Sequence, residues 1–436
     1  MSSSLTAEQK TIHFLDRTSF GAIPDTVQRV NRVGMSAYLD EQLEPEKISD
    51  NWVEEKVSAL KTIRLNSGEL FELYPPPKLA KERGMAGDMM RAPRMIIYEL
   101  QQARLLRAVQ SQRQLNELMV DFWNNHFNIF AAKGADRWLT TSYDRDTIRP
   151  HALGKFRDLL LATAKSPAML FYLDNWLSVS PSARMPANAR RRGLNENYGR
   201  ELMELHTLGV DGGYTQQDVI NVARAFTGWT MDRDGNFRFV AALHDTGEKI
   251  VLGHKIKAGG GIEDGEQVLD IVASHPATAH HIAFELAQRL VADEPPPALV
   301  DRAAARFRET KGDLREVVKT IVTSPEFLLP GVRNAKFKMP FEFVVSAVRT
   351  TGASVSDARA FVQTLQQLCE PLYMCQPPTG YHDTADAWVS AGGLVTRMNF
   401  ATRLASGNMP GVTLAASASP AQELAQRIGS PEFQRY

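Results

Sequence analysis

Cysteine is scarce in this chain, with two residues, Cys369 and Cys375, among 436. That excludes the disulfide framework that staples small secreted folds. The pair stands in the turn-rich stretch LCEPLYMCQPPTGY, where one bridge is geometrically allowed, and the simpler expectation is two ordinary thiols. Excess charge of either sign is missing as well. Fifty acidic residues balance fifty basic ones, so no overall field favours nucleic acid or an anionic membrane, and any anion preference must be local. No apolar run approaches about 18 residues, so no integral membrane helix is expected. The opening MSSSLTAEQKTIHFLDRTSFG lacks a charged region followed by an apolar one. The expectation is either a cytoplasmic protein or a mature form whose export signal lies outside the chain. GxSxG, HExxH, P-loop and GxGxxG contexts are also missing, against the commonest hydrolase, zinc-protease and nucleotide-binding classes.

What the chain does have is helical periodicity. Hydrophobic residues at 43% and charged residues at 23% are ordinary for a globular protein. Residues 95–130 carry Leu115, Leu118, Met119 and Phe122 at helical spacing. Similar patterns predict helices over 154–165, 196–208, 216–227, 265–274, 278–292, 298–310, 313–323, 339–350 and 357–368. Strand signals are few, the best being Asp234-Gly235 before the alternating Phe237 and Phe239. The expectation is a mainly α protein, one large multi-helical domain over 1–436 with a small β excursion near 236–256. The glycine loop 257–266 marks the one place for a subdivision.

An internal echo accompanies this pattern. GKFRDLLLATAKSPAML, 154–170, aligns without gaps on GDLREVVKTIVTSPEFL, 312–328. In both a helix runs into Ser-Pro, where the proline disfavours helical geometry at the preceding residue. Five identities are too few to establish duplication, and a shared helix-stop device accounts for them.

Polar chemistry concentrates in a few stretches. RRGLNENYGRELMELHTLGVDGGYT, 191–215, reads as a helix, with Gly209 as its C′ glycine and Thr215 opening the next helix in a capping box with Asp218. Asn197, Arg200, Glu201 and Glu204 share one stripe of the first helix, and His206 falls on its flank near Met203. Glu201 and Glu204, at i and i+3, are placed as acid and base or, with His206, as ligands of a divalent metal. The plainer alternative is that Arg200 and Arg224 neutralise them in a buried network. DGGYTQQD matches a calcium loop poorly, because Gly213 stands where an oxygen ligand belongs. Asn124, Asn125 and His126 end the long helix, and His244 with Asp245 sits on the β excursion in HDTGEKIVLGH. Arg184, Arg190, Arg191 and Arg192 form an acid-free loop suited to an anion-binding rim.

Taken in order, HFLDRTSFGAIPDTVQRV, FWNNHF, SPAMLFYLDN, RRGLNENYGRELMELHTLGVDGGYTQQDV, ARAFTGW, HDTGEKIVLG and GGLVTRMNFA resemble the bacterial domain-of-unknown-function 1800 family over nearly the whole chain. The resemblance implies an export signal, often of the twin-arginine type, and hence a periplasmic or secreted protein; it assigns no catalytic residues. The combined expectation is an exported enzyme acting on a polar, anionic small molecule or polymer, saccharide or peptide-like. Glu201, Glu204, His126 and His244 would be catalytic. Arg200, Asn195, Asn197, Arg190, Arg191 and Asp245 would bind substrate, and metal assistance and oligomeric state stay open. The alternative is a non-catalytic binding or assembly protein whose polar clusters are buried networks.

Overall fold

The computed structural model of the chain describes residues 4–85, 92–183, 193–415 and 419–436. Helix dominates: twenty-two α-helices stand against six short strands among the described residues. The strands form three antiparallel pairs. Trp229–Met231 pairs with Phe237–Phe239 around the expected Asp234-Gly235 turn, and Lys249–Val251 pairs with His254–Ile256. A third pair, Ser354–Val355 with Val412–Thr413, lies outside the expected β region.

Local chemistry explains where helices start and stop. The 95–130 pattern resolves into Arg94–Gln110 and Gln114–His126, broken at Ser111, whose backbone is extended. Phe156–Lys165 ends before Ser166 (ψ 128°), and Pro167 opens the next helix at its first turn, where a missing N–H costs nothing. Leu314–Val322 likewise stops ahead of Ser324-Pro325. Gln216–Ala225 starts in the expected capping box, Thr215 Oγ1 accepting from Asp218 N (3.2 Å) and Asp218 Oδ2 from Thr215 N (2.9 Å).

The two echoing segments meet in space. Phe156 N donates to Gly312 O (2.8 Å) and Leu314 N donates to Gly154 O (3.0 Å). Lys155 and Asp313 between them are ion-paired at 2.9 Å. Equivalent positions of the echo thus exchange equivalent bonds, a reciprocal contact about a local pseudo-twofold.

A continuous apolar core runs from Phe14 to Ile428. Pro276–Leu290 packs on Pro297–Glu309, which packs on Leu314–Val322, and Asn197–Glu204 packs on Gln216–Ala225. The last pair approaches closely at Gly199, where a Cβ would lie 3.1 Å from both Ala223 N and Val219 O. Glycine inside a helix usually costs up to about 1 kcal/mol; here it sets the helix separation. Cys369 and Cys375 are both free thiols, the first exposed and the second buried. Among the described residues no helix is long and apolar enough to cross a membrane.

Candidate active site

The Gln114–His126 helix delivers His126 at its last position, with the ring set among Phe122, Trp123 and Phe127 at centroid distances of 6.1, 5.3 and 4.5 Å. This apolar collar leaves the ring nitrogens to choose partners. Nδ1 lies 2.6 Å from Glu285 Oε2 and Nε2 lies 3.3 Å from the His206 carbonyl oxygen. Both neighbours are acceptors, so a ring with a proton on each nitrogen satisfies both contacts. Burial pushes the Glu285 carboxyl up, but His126 bonded to it and His281 nearby outweigh that, and the net effect holds it below the usual carboxylate range. The pair is a charge-assisted one.

His126, Glu285, His281 and Glu204 line one cavity of about 220 Å³, together with Tyr381 and Asp383. Glu285 and His281 come from Pro276–Leu290, with His281 Nε2 at 3.5 Å from Glu285 Oε1 and 3.3 Å from Leu205 O. Glu204 ends the Asn197–Glu204 helix and accepts from the Tyr214 hydroxyl (3.2 Å). Tyr381 is held over the cavity by Asn125, whose Nδ2 donates to Tyr381 O (2.8 Å) while its Oδ1 accepts from Tyr381 N (2.7 Å).

The remaining expected residues disperse. Glu201 is half-buried, does not line this cavity, and makes no ion pair or side-chain hydrogen bond among the described residues. Burial and then the Glu204 charge push its carboxyl up, Arg200 pulling weakly the other way. Arg200 turns to Glu196 (3.4 Å) and Gln216 (3.0 Å), and Arg224 grips Asp245 with two bonds of 3.0 Å. Neither arginine hydrogen-bonds or ion-pairs with Glu201 or Glu204, so the alternative of a neutralising network does not form. Asn195 Oδ1 accepts from Asn197 N (2.9 Å), a local turn at the helix start.

The helix expected over 196–208 ends at Glu204, because the His206 N–H reaches back five residues to Glu201 O (2.9 Å), a wider turn that breaks the i→i−4 ladder. His206 therefore leaves the helical flank and is buried, with Nε2 unpartnered and the ring pushed down to about 3 by burial and by His126. Among the described residues no group of three or more His, Cys, Asp or Glu is arranged to hold a metal ion.

His244 and Asp245 belong to a separate network. His244 Nε2 lies 3.2 Å from Asp264 Oδ2, which also accepts from the fully buried Lys249 ammonium at 2.7 Å. None of these bonds reaches His126 or Glu204. Arg184, Arg190, Arg191 and Arg192 lie outside the described residues.

Glu285 and His281 were the residues that sequence reasoning missed. Their signal is the polar stripe His281, Glu285 and Gln288, at i, i+4 and i+7, on a helix otherwise read only for its apolar face.

The chain matches the family described as "Protein of unknown function (DUF1800)" over residues 13–435. It belongs to that family. No curated protein and no solved structure matches this family member. Its strings FWNNHF and NENYGRELMELHTLG, carriers of the resemblance, hold His126 and Glu204, so two of the family's recognisable stretches meet at one cavity.

Proposed function

We propose that the protein is an exported bacterial enzyme that acts on a polar polymer, saccharide or peptide-like, by general acid–base catalysis. His126 donates the proton from Nε2, whose 3.3 Å contact with the His206 carbonyl oxygen is the weaker of its two and yields to substrate, and Glu204, lining the same cavity, accepts one. The observation that carries this reading is the His126–Glu285 contact of 2.6 Å at a cavity that also contains Glu204. Glu285 orients the imidazole through its 2.6 Å contact with Nδ1, a positioning role. Burial and then the Glu204 charge hold the Glu201 carboxyl on that helix above its ordinary range. The cavity itself brings three carboxylates, Glu204, Glu285 and Asp383.

The test is a panel of acidic and neutral polysaccharides and peptides, assayed for product release with the wild type, Glu204→Gln and His126→Asn. The expected result is turnover of at least one polymer, reduced by about 100-fold or more in both variants with melting temperatures retained. Equal turnover by all three proteins, or neither turnover nor a melting shift with any polymer, overturns the reading.

A second reading, a non-catalytic binding or assembly protein, is favoured by the extent of buried charge elsewhere. Arg289 pairs with Asp121 (3.1 Å) and Glu342 (2.8 Å), and Arg104 also pairs with Asp121, all inside the core. Such networks fix the positions of helices without chemistry. Under this reading the same panel gives a melting shift and no product.

A further inference from the structure

A second cleft, of about 530 Å³, shares no lining residue with the candidate site. It lies between the Ala7–Thr18 helix, the start of Pro24–Val33, the 333–338 segment and the last turn of the chain around Arg427 and Phe433. Three of its cations, Arg333, Lys338 and Arg427, make no ion pair and no side-chain hydrogen bond among the described residues.

Lys338 is the unusual one. The residue is 7% exposed, and its ammonium lies over the Phe433 ring at 3.9 Å with no hydrogen-bond acceptor. Its backbone is fixed on both sides, N donating to Gln434 O (2.8 Å) and O accepting from Arg397 Nη2 (2.8 Å). The side chain is therefore aimed into the cleft by a pinned main chain. The ammonium reaches the cleft, so the acceptor it lacks is one that a ligand can supply. Burial pushes the ammonium down to about 8 against the opposing charges of Asp16 and Glu342, with Arg397 and Arg427 adding smaller pushes.

Three carboxylates, Glu8, Asp16 and Glu432, also line the cleft, and none is within ion-pair distance of these cations. Asp16 is already engaged, accepting from Ala22 N at 2.8 Å. Ile12, Ile23 and Val27 supply an apolar wall beside the charges. Two cations without ion-pair partners beside an apolar wall are arranged for a ligand with one charged end.

The geometry points to a binding site for a small organic anion, a phosphate monoester or a carboxylate, with its charged end at Lys338 and Arg427 and its apolar body against Ile23 and Val27. The anion supplies the acceptor that Lys338 lacks.

The experiment is calorimetric titration of the full chain with phenyl phosphate, benzoate and inorganic phosphate, repeated on Lys338→Met and Arg427→Gln. Phenyl phosphate or benzoate is expected to bind one per chain, more tightly than inorganic phosphate, and to weaken about tenfold or more in each variant. The tighter of the two organic probes identifies the head group. Arg427 is exposed, so Arg427→Gln decides the matter if Lys338→Met fails to fold. Binding unchanged in Arg427→Gln, equal affinity for inorganic and phenyl phosphate, or no binding of any probe overturns the proposal.

Discussion

Asn125 holds Tyr381 by both ends of its amide, donating at 2.8 Å and accepting at 2.7 Å across 256 residues of chain. The preceding Gly380 has φ +69°, and a Cβ there would stand 2.4 Å from Asn125 O. Gly380→Ala therefore forces the turn away from the helix end as well as straining the backbone. We expect a loss on the order of 2 kcal/mol or more in chemical denaturation, together with weakened ligand binding at the cavity that Tyr381 covers. An unchanged denaturation midpoint would contradict this geometry.

Glu204→Gln and Asp264→Asn should separate a site from a scaffold. Glu204 is paired with no arginine, and glutamine can still accept from Tyr214, so its replacement should leave stability within about 0.5 kcal/mol of the wild type. Asp264 faces both Lys249 and His244 in the core. Asp264→Asn leaves the buried Lys249 ammonium without its counter-charge, at a cost of roughly 3–5 kcal/mol. Thermal melts of the two variants side by side check the contrast; a Glu204→Gln protein as unstable as Asp264→Asn would move Glu204 into the scaffold.

Glu370 gives a basic-side prediction. Burial, with Asp121 and Glu342 adding and the Phe341 N–H and Arg104 opposing, pushes its carboxyl up to about 8. Between the ordinary carboxylate value and about 8 the folded protein holds a proton that the unfolded chain has released. Stability contributed by this group therefore falls as pH rises through that window. Glu370→Gln keeps an oxygen for the Phe341 N–H (2.7 Å in the wild type) and removes the titration. The variant should gain on the wild type steadily from pH 5 to pH 8 in urea denaturation, and parallel curves would refute the placement.

The acid side belongs to His206 and His13. Burial pushes their rings down, to about 3 and about 4, helped by His126 and Arg17 respectively. Here the unfolded chain binds the proton first, so stability is full above the ordinary histidine value and is lost as pH falls toward 4. Each ring contributes about 1.4 kcal/mol per pH unit inside its window. His206→Phe should flatten the slope between pH 4 and 6 by about one proton, measured against the wild type at matched ionic strength. An unaltered slope would mean that His206 is protonated in the fold.

How much of this was legible in sequence depends on the range of each interaction. The Thr215–Asp218 cap, the Ser166-Pro167 stop and the Asp234-Gly235 turn involve neighbours in the chain, and they are found where the residue types predict them. The ending of the helix at Glu204 rather than 208 reflects one backbone bond, His206 N to Glu201 O, which no side chain announces. The His126–Glu285 contact spans 159 residues, so only the tertiary fold brings it about. Arg224 follows Glu204 by one helix in the sequence, yet its guanidinium pairs with Asp245 from the segment between the two strand pairs, a choice that only the coordinates show.

The reciprocal contact at Lys155 and Asp313, 158 positions apart in the chain, turns the segment between them into a closed ring. Glu204 and Glu285 both lie on that ring, while His126 lies on the arm leading into it. Closing so long a loop is entropically unfavourable, which places this clasp among the later contacts to form. The exposed residues 257–259 lie near the ring's far side. A single proteolytic nick there would open the ring into two strands, each still fastened at the clasp, so cleavage of the chain and release of its parts become separate events.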